Sequence, residues 1–133
     1  MRMQRKIGLV TAAGSGMGKA GAIRFAREGA SVSVVDINPE AVDAVVKEIK
    51  DAGGHAIGIV ADLTKDEESK RIVTETASHF EGLDFVWNHV GYPGPASIEG
   101  IEMKDFELTL DLNLRTILVT TEAALSEFRI RGG

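Results

Sequence analysis

Residues 11–21, "TAAGSGMGKAG", follow directly on the apolar run "KIGLV" (6–10). Four glycines and a lysine placed this close behind a short apolar run read as a phosphate-binding turn between a strand and a helix. Two kinds of turn compete. A triphosphate-binding loop has the form G-x-x-x-x-G-K-[ST], with the last hydroxyl on magnesium. Gly18-Lys19 align with its end, but Ala13 stands at the opening glycine and Ala20 at the hydroxyl, so both ends fail. The dinucleotide pattern G-x-G-x-x-G is met at Gly16, Gly18 and Gly21. Glycines there let the backbone approach a pyrophosphate, and the amides and dipole of the following helix favour its charge. An acidic residue, Asp36, ends the next apolar run eighteen positions after Gly18, where a ribose-binding carboxylate belongs. Such a carboxylate accepts hydrogen bonds from both ribose hydroxyls and repels a 2′-phosphate. Ser15 and Ile37, where a basic residue would help hold that phosphate, are uncharged, so NAD is expected over NADP.

Outward from the loop, short apolar runs alternate with helical periodicity. "SVSVV" (31–35), "AIGIV" (56–60) and "LDFVW" (83–87) join "KIGLV" as candidate buried parallel strands. Residues 17–28 form the first predicted helix. Val42, Val45, Val46 and Ile49 mark a second, opening after Pro39 and closing at Gly53-Gly54. Thr64-Lys65-Asp66-Glu67 reads as a capping box that starts a third helix through Ile72, Val73, Thr76, Ala77 and Phe80. This alternation predicts an α/β fold with right-handed crossovers and a parallel sheet covered on both faces. Residues 1–133 are expected to be one partial dinucleotide-binding domain. A loop with Pro93 and Pro95 follows. A long amphipathic segment then runs from about Lys104 to Arg131, with Phe106, Leu110, Ile117, Leu125 and Phe128 as its apolar stripe. At that length a kink or a large interface is expected. Asn113 falls in register with Phe106, Leu110 and Ile117, which predicts an inward-facing amide that needs partners.

Composition narrows the function. The chain has 133 residues, net charge −5 and no cysteine, so neither disulfides nor thiolate metal sites are available. No basic cluster is long enough to track a phosphate backbone, and nucleic acid is not an expected partner. The basic start "MRMQRK" leads into an apolar run too short for a signal peptide or a membrane span, which points to the cytoplasm. His55 and His79 have no metal-ligand spacing and read as surface residues; His89 reads as structural.

Thr11-Ala12-Ala13-Gly14-Ser15-Gly16-Met17-Gly18 resembles the T-G-x-x-x-G-x-G loop of the classical short-chain dehydrogenases/reductases. Three further stretches agree in order and spacing. "VADLT" (60–64) is similar to the strand end whose acid, here Asp62, meets the adenine amino group. "NHVG" (88–91) resembles N-N-A-G, and "LDLNL" (110–114) resembles the segment carrying the catalytic asparagine, here Asn113. The resemblance covers essentially the whole chain and implies an α/β, Rossmann-type doubly wound parallel sheet with about four strands present, in the order 3-2-1-4, and the C-terminal strands missing. It implies cofactor contacts at Ala12, Gly14, Ser15, Gly16, Met17, Gly18, Asp36, Ile37, Asp62, Leu63, Asn88, Val90 and Gly91, and no metal. Ala12 departs from the first glycine of the loop, and His89 and Val90 from the second asparagine and the alanine of N-N-A-G.

The family's hydride chemistry uses a serine, then Y-x-x-x-K, on the fifth strand and the next helix. Tyr92 is the only tyrosine here, and no lysine stands four residues after it. The resemblance therefore implies the cofactor half of an NAD-dependent oxidoreductase, cut short before its catalytic residues and inactive alone. In the intact enzyme it would act on a small secondary alcohol or ketone. A second expectation is a non-catalytic dinucleotide-binding or assembly module. A third, an S-adenosylmethionine methyltransferase, fits the T-x-x-x-G-x-G spacing, Asn88 and Asn113 poorly. Leu112, Leu118, Val119, Ala123 and Ala124 lie off the Phe106 stripe, so the 104–131 segment is apolar on more than one face. A homo-oligomer through this segment is expected.

Overall fold

A computed structural model of the chain describes residues 1–132. The strands are β1 (Ile7–Val10), β2 (Ser31–Asp36), β3 (His55–Val60) and β4 (Phe85–Trp87), all parallel, in the order β3-β2-β1-β4. The helices are α1 (Gly16–Arg27), α2 (Pro39–Asp51), α3 (Asp66–Phe80), α4 (Met103–Leu110) and α5 (Thr116–Arg131). The strand order is the predicted one. β4 is shorter than the run 83–87 because Leu83 and Asp84 precede the sheet pairing, which begins with Gly8 opposite Phe85.

Period-two alternation divides the core between the two faces of the sheet. Leu9, Val35 and Ile59 pack with Ile72 and Val73 of α3 and Ala124 of α5. Val10, Val32 and Val34 pack on the other face with Ala22 of α1 and Val45 and Ile49 of α2. Close approach dictates glycine at two positions here. A Cβ on Gly8 would fall inside the Phe85 ring, and one on Gly21 inside the Trp87 ring. Phe25 meets both rings edge-on, at 4.9 and 5.8 Å between centroids.

Helix α2 begins as its sequence suggests: Asn38 caps it by accepting the Ala41 amide at 3.1 Å, with Pro39 in the first turn. Helix α3 does not. The capping box expected at Thr64 is absent, and Lys65 occupies the N-cap without a side-chain bond. The Asp62 carboxylate takes both the amide (3.1 Å) and the hydroxyl (2.7 Å) of Thr64, which holds that side chain toward Asp62 instead of over the first-turn amides of α3.

The 104–131 segment also departs from expectation. A π turn, Asp111–Arg115, separates α4 from α5. The extra residue it inserts rotates everything after it relative to the stripe read from the sequence. Phe106, Leu110 and Leu125 are exposed, and the buried face of α5 is Thr116, Thr120 and Ala124 instead. This face packs on α3, where Ser69 and Thr116 hydroxyls lie 3.2 Å apart. Arg115 fixes the turn to the start of α3 through two bonds to the Asp66 carboxylate, at 2.8 and 2.6 Å.

The opposite end of the sheet is tied by Asp84. Its amide donates to the Ile7 carbonyl and its carboxylate accepts the Ile7 amide, both at 2.8 Å. The same carboxylate pairs with Arg131 at 3.1 Å and Lys6 at 3.6 Å, so β1, β4 and the end of α5 meet on one buried acid. No helix among the described residues is long and apolar enough to cross a membrane.

Candidate functional site

Because all four strands are parallel, their C-terminal ends and the loops after them open on one edge of the sheet, and the predicted site residues gather there. The glycine loop is anchored on both sides. Thr11, fully buried, donates its amide to the Trp87 carbonyl (3.1 Å), and Ala13 donates to the Val35 carbonyl (2.9 Å). The Thr11 hydroxyl oxygen accepts the amides of His89 (2.9 Å) and Val90 (3.0 Å), which holds the loop after β4 against the loop after β1.

Ala12 has φ of +49°, the left-handed region. The backbone at this position therefore favours the glycine that the T-G-x-x-x-G-x-G pattern calls for. An L-residue there costs about 1–2 kcal/mol, against about 0.5–1 kcal/mol lost from the entropy of a glycine. Ala12→Gly is accordingly expected to raise stability by about 0.5–1 kcal/mol in urea unfolding, the reverse of the usual Ala→Gly change. A loss of about 1 kcal/mol would contradict it.

Gly18 is required by proximity: a Cβ there would overlap the Ala12 carbonyl oxygen and stand 2.9 Å from His89 Nδ1. Helix α1 can thus begin directly on the loop. Ser15, Gly16 and Met17 are exposed at its start, no acidic residue lies in its first turn, and Ser15 makes no side-chain cap. Neither a capping side chain nor a first-turn acid engages the first-turn amides, and a Cβ on Gly16 would meet nothing within 4 Å. This arrangement fits a bound pyrophosphate.

Asp36 ends β2 beside this loop. Its Oδ2 accepts the Gly14 amide at 2.9 Å and its Oδ1 the Asn38 amide at 3.1 Å. Next to it opens a cleft of 260 Å³ lined largely by apolar side chains, among them Ile37, Leu63, Val90, Leu108 and Leu112, with Asp36 and Asp62 at its polar margin. Its size and apolar walls suit a planar heteroaromatic ring. The Thr64 hydroxyl beside Asp62, with its amide and Lys65, holds the Asp62 carboxyl below its ordinary pKa against the opposing effect of burial. Asp62 is therefore an acceptor at neutral pH.

Asn88 donates to the Thr121 hydroxyl at 3.2 Å, and its own carbonyl oxygen is buried without a partner among the described residues. Gly91 lies beside Asn113: a Cβ on it would stand 3.0 Å from Asn113 Oδ1. Asn113 itself differs from expectation. It lies exposed on the π turn rather than inward, and Phe106 and Leu110, with which it was read in register, are exposed as well. Its amide still finds two partners, accepting from the Tyr92 amide at 2.8 Å and donating to the Tyr92 carbonyl at 2.7 Å. His89 packs edge-on to Trp87 at 5.0 Å, and its Nδ1 is buried without a partner among the described residues.

The sequence reading did not single out Thr11 or Asn38 as site residues. Thr11 heads the glycine motif, and its hydroxyl between two apolar neighbours was the available signal. For Asn38 the signal was Asn-Pro at a helix start. Among the described residues no group of three or more His, Cys, Asp or Glu side chains could hold a metal.

Residues 6–133 match the family described as short chain dehydrogenase. An uncharacterized oxidoreductase of Thermotoga maritima is 36% identical over 133 residues, which is 100% of this chain and 52% of that protein. A 7 alpha-hydroxysteroid dehydrogenase solved with NADH and 7-oxo glycochenodeoxycholic acid superposes with a TM-score of 0.95 at 34% identity, covering 99% of this chain and 51% of that one. A short chain dehydrogenase from Burkholderia cenocepacia solved with NADP gives 0.92 at 34% identity, over 96% and 52%. The chain spans about half the length of the curated relatives it matches.

Proposed function

The chain belongs to the short-chain dehydrogenase family, and on that premise we propose that it is the dinucleotide-binding portion of an NAD-linked oxidoreductase acting on a secondary alcohol or ketone. One observation carries the cofactor part of this reading. The Asp36 carboxylate stands at the end of β2 beside an uncapped α1 N-terminus, and no basic side chain flanks it at positions 15 or 37. The amides of Ser15, Gly16 and Met17 would hold the pyrophosphate, Asp36 the adenosine ribose, and the Ile37–Leu63–Val90 cleft the adenine beside Asp62. When bound, the nicotinamide supplies or accepts the hydride. The part of this chain is to bind and orient. Asn113 keeps the 91–92 backbone fixed, and Thr11 keeps the 88–90 turn against the glycine loop. Relatives have been solved with NADH and with NADP, so the choice of NAD rests on Asp36. Calorimetry on the wild type should show NAD bound more tightly than NADP. Asp36→Ala should weaken NAD by about tenfold, the equivalent of one charge-assisted hydrogen bond, and narrow the preference. Equal affinity of the wild type for both would refute the assignment.

A second reading, a non-catalytic dinucleotide-binding or assembly module, is favoured by Tyr92. It is the only tyrosine, it has no lysine four residues on, and its backbone is held by Asn113. Turnover of NAD with secondary alcohols by these 133 residues, clearly above background, would eliminate that reading.

The proposal extends to a homo-oligomer through α4 and α5. Leu110, Leu114, Leu118 and Leu125 are 40 to 63% exposed along one continuous run of helix, more apolar surface than a lone helix face leaves in water. Light scattering across a dilution series should give a multiple of 14.2 kDa, and Leu118→Glu should shift it toward the monomer. A monomeric wild type at every concentration would remove this part of the proposal.

A further inference from the structure

We propose that the backbone amides of Gly14 and Asn38 set the discrimination between dinucleotides with and without a 2′-phosphate, by fixing the Asp36 carboxylate before any ligand arrives. The inference rests on the reading of Asp36 as the ribose-binding acid and adds what makes that acid selective. Each carboxylate oxygen is engaged once: Oδ2 by Gly14 N–H at 2.9 Å, Oδ1 by Asn38 N–H at 3.1 Å. A carboxylate offers about four lone-pair positions, so roughly two stay open for a diol.

The grip closes on itself. The Asn38 side chain accepts the Ala41 amide at 3.1 Å, and the Ala41 methyl lies 2.9 Å from where a Cβ on Gly14 would stand. That same point is 2.9 Å from Cγ and Oδ2 of Asp36. Gly14 is not among the glycines with positive φ, so backbone conformation does not demand glycine here. Proximity does: a methyl group at position 14 must displace either the carboxylate or the α2 cap.

The consequence for ligands is directional. A carboxylate held by two amides presents its charge at one fixed place, and Coulomb repulsion of a phosphate falls steeply with any added distance and solvent. The same fixing pre-orients the acceptors for the ribose hydroxyls. Once displaced, Asp36 binds NAD less well and opposes NADP less strongly, so Gly14→Ala must move the two affinities toward each other. Gly14 and Asn38 are positioning residues, acting through Asp36.

Calorimetric affinities for NAD and NADP on the wild type, Gly14→Ala, Asp36→Ala and the double variant test this. We expect Gly14→Ala to narrow the NAD-to-NADP affinity ratio by about tenfold, and the double variant to show the ratio of Asp36→Ala alone. An unchanged ratio in Gly14→Ala, or the same narrowing in the Asp36→Ala background, would overturn the inference. A wild type that binds neither dinucleotide would instead overturn the functional reading, and this inference with it. Amide exchange by NMR on the ligand-free chain tests the grip separately, and needs no Gly14 variant to fold. The Gly14 amide should be protected in the wild type and exchange at least tenfold faster in Asp36→Ala; equal rates in the two would overturn the grip whatever the binding data show.

Discussion

Gly18→Ala is expected to lower stability by about 2–3 kcal/mol and to weaken NAD binding by about two orders of magnitude. The added methyl has nowhere to go: it overlaps the Ala12 carbonyl oxygen and reaches 2.9 Å from both the Ala12 carbonyl carbon and His89 Nδ1. None of these is the free end of a flexible side chain. Ala12 is held in the left-handed region between the anchors of Thr11 and Ala13, and His89 is held by its amide on Thr11. Relief must come from moving α1 off the loop, which carries the first-turn amides away from where a pyrophosphate would lie. Gly16→Ala provides the contrast. Its Cβ meets open space, and only its φ of +55° opposes a side chain, at about 1–2 kcal/mol. Thermal unfolding and calorimetry on both variants separate the two effects. A Gly18→Ala protein as stable as wild type, with unchanged NAD affinity, would show that the loop and helix do not meet as described.

Asp84→Ala should be among the most destabilising polar substitutions, at about 2–4 kcal/mol at pH 7. It orphans the Ile7 amide and leaves Arg131 and Lys6 without their shared partner, at a side chain only 4% exposed. The same residue gives the chain a defined acid sensitivity. Burial by itself would raise the Asp84 pKa, but the Arg131 guanidinium and the Ile7 amide outweigh it and hold the carboxyl below its ordinary value. The folded state therefore binds this proton more weakly than the unfolded chain. The stabilisation is fully present above the unfolded pKa of about 3.9 and is lost as pH falls through the folded value. Urea unfolding from pH 7 down to pH 3 should show a loss of stability that is shallower in Asp84→Ala. Parallel pH profiles for the two proteins would remove Asp84 from the acid response.

Much of the fold was legible in the residue order because the signals are local. Short β-branched runs between helical periods identify parallel strands joined by right-handed crossovers, and the order β3-β2-β1-β4 followed from the family that the motifs resemble. The helix start near Pro39 was equally local. The site was legible in outline, since Gly16, Gly18, Gly21 and Asp36 keep a spacing that one strand, one turn and one helix impose. Three things were not legible, each for a tertiary reason. The Thr64 cap failed because Asp62, two residues earlier, takes the Thr64 amide and hydroxyl together and turns that side chain away from the helix start. The α4–α5 stripe failed beyond residue 110 because the π turn at 111–115 breaks the 3.6-residue register on which such a reading depends, and ahead of it Phe106 and Leu110 stay exposed, as does Asn113, which was read on their face. That turn is fixed by contacts distant in sequence, Arg115 to Asp66 and Asn113 to Tyr92. Asp36 could be named from its spacing, but its grip by Gly14 and Asn38 exists only where the glycine loop and the α2 cap meet across the end of β2. Sequence by itself determined which elements form, their order and the chemical character of the edge where ligands gather. Only the tertiary structure decided how the side chains there are held, because hydrogen bonds between distant segments depend on where whole elements come to rest.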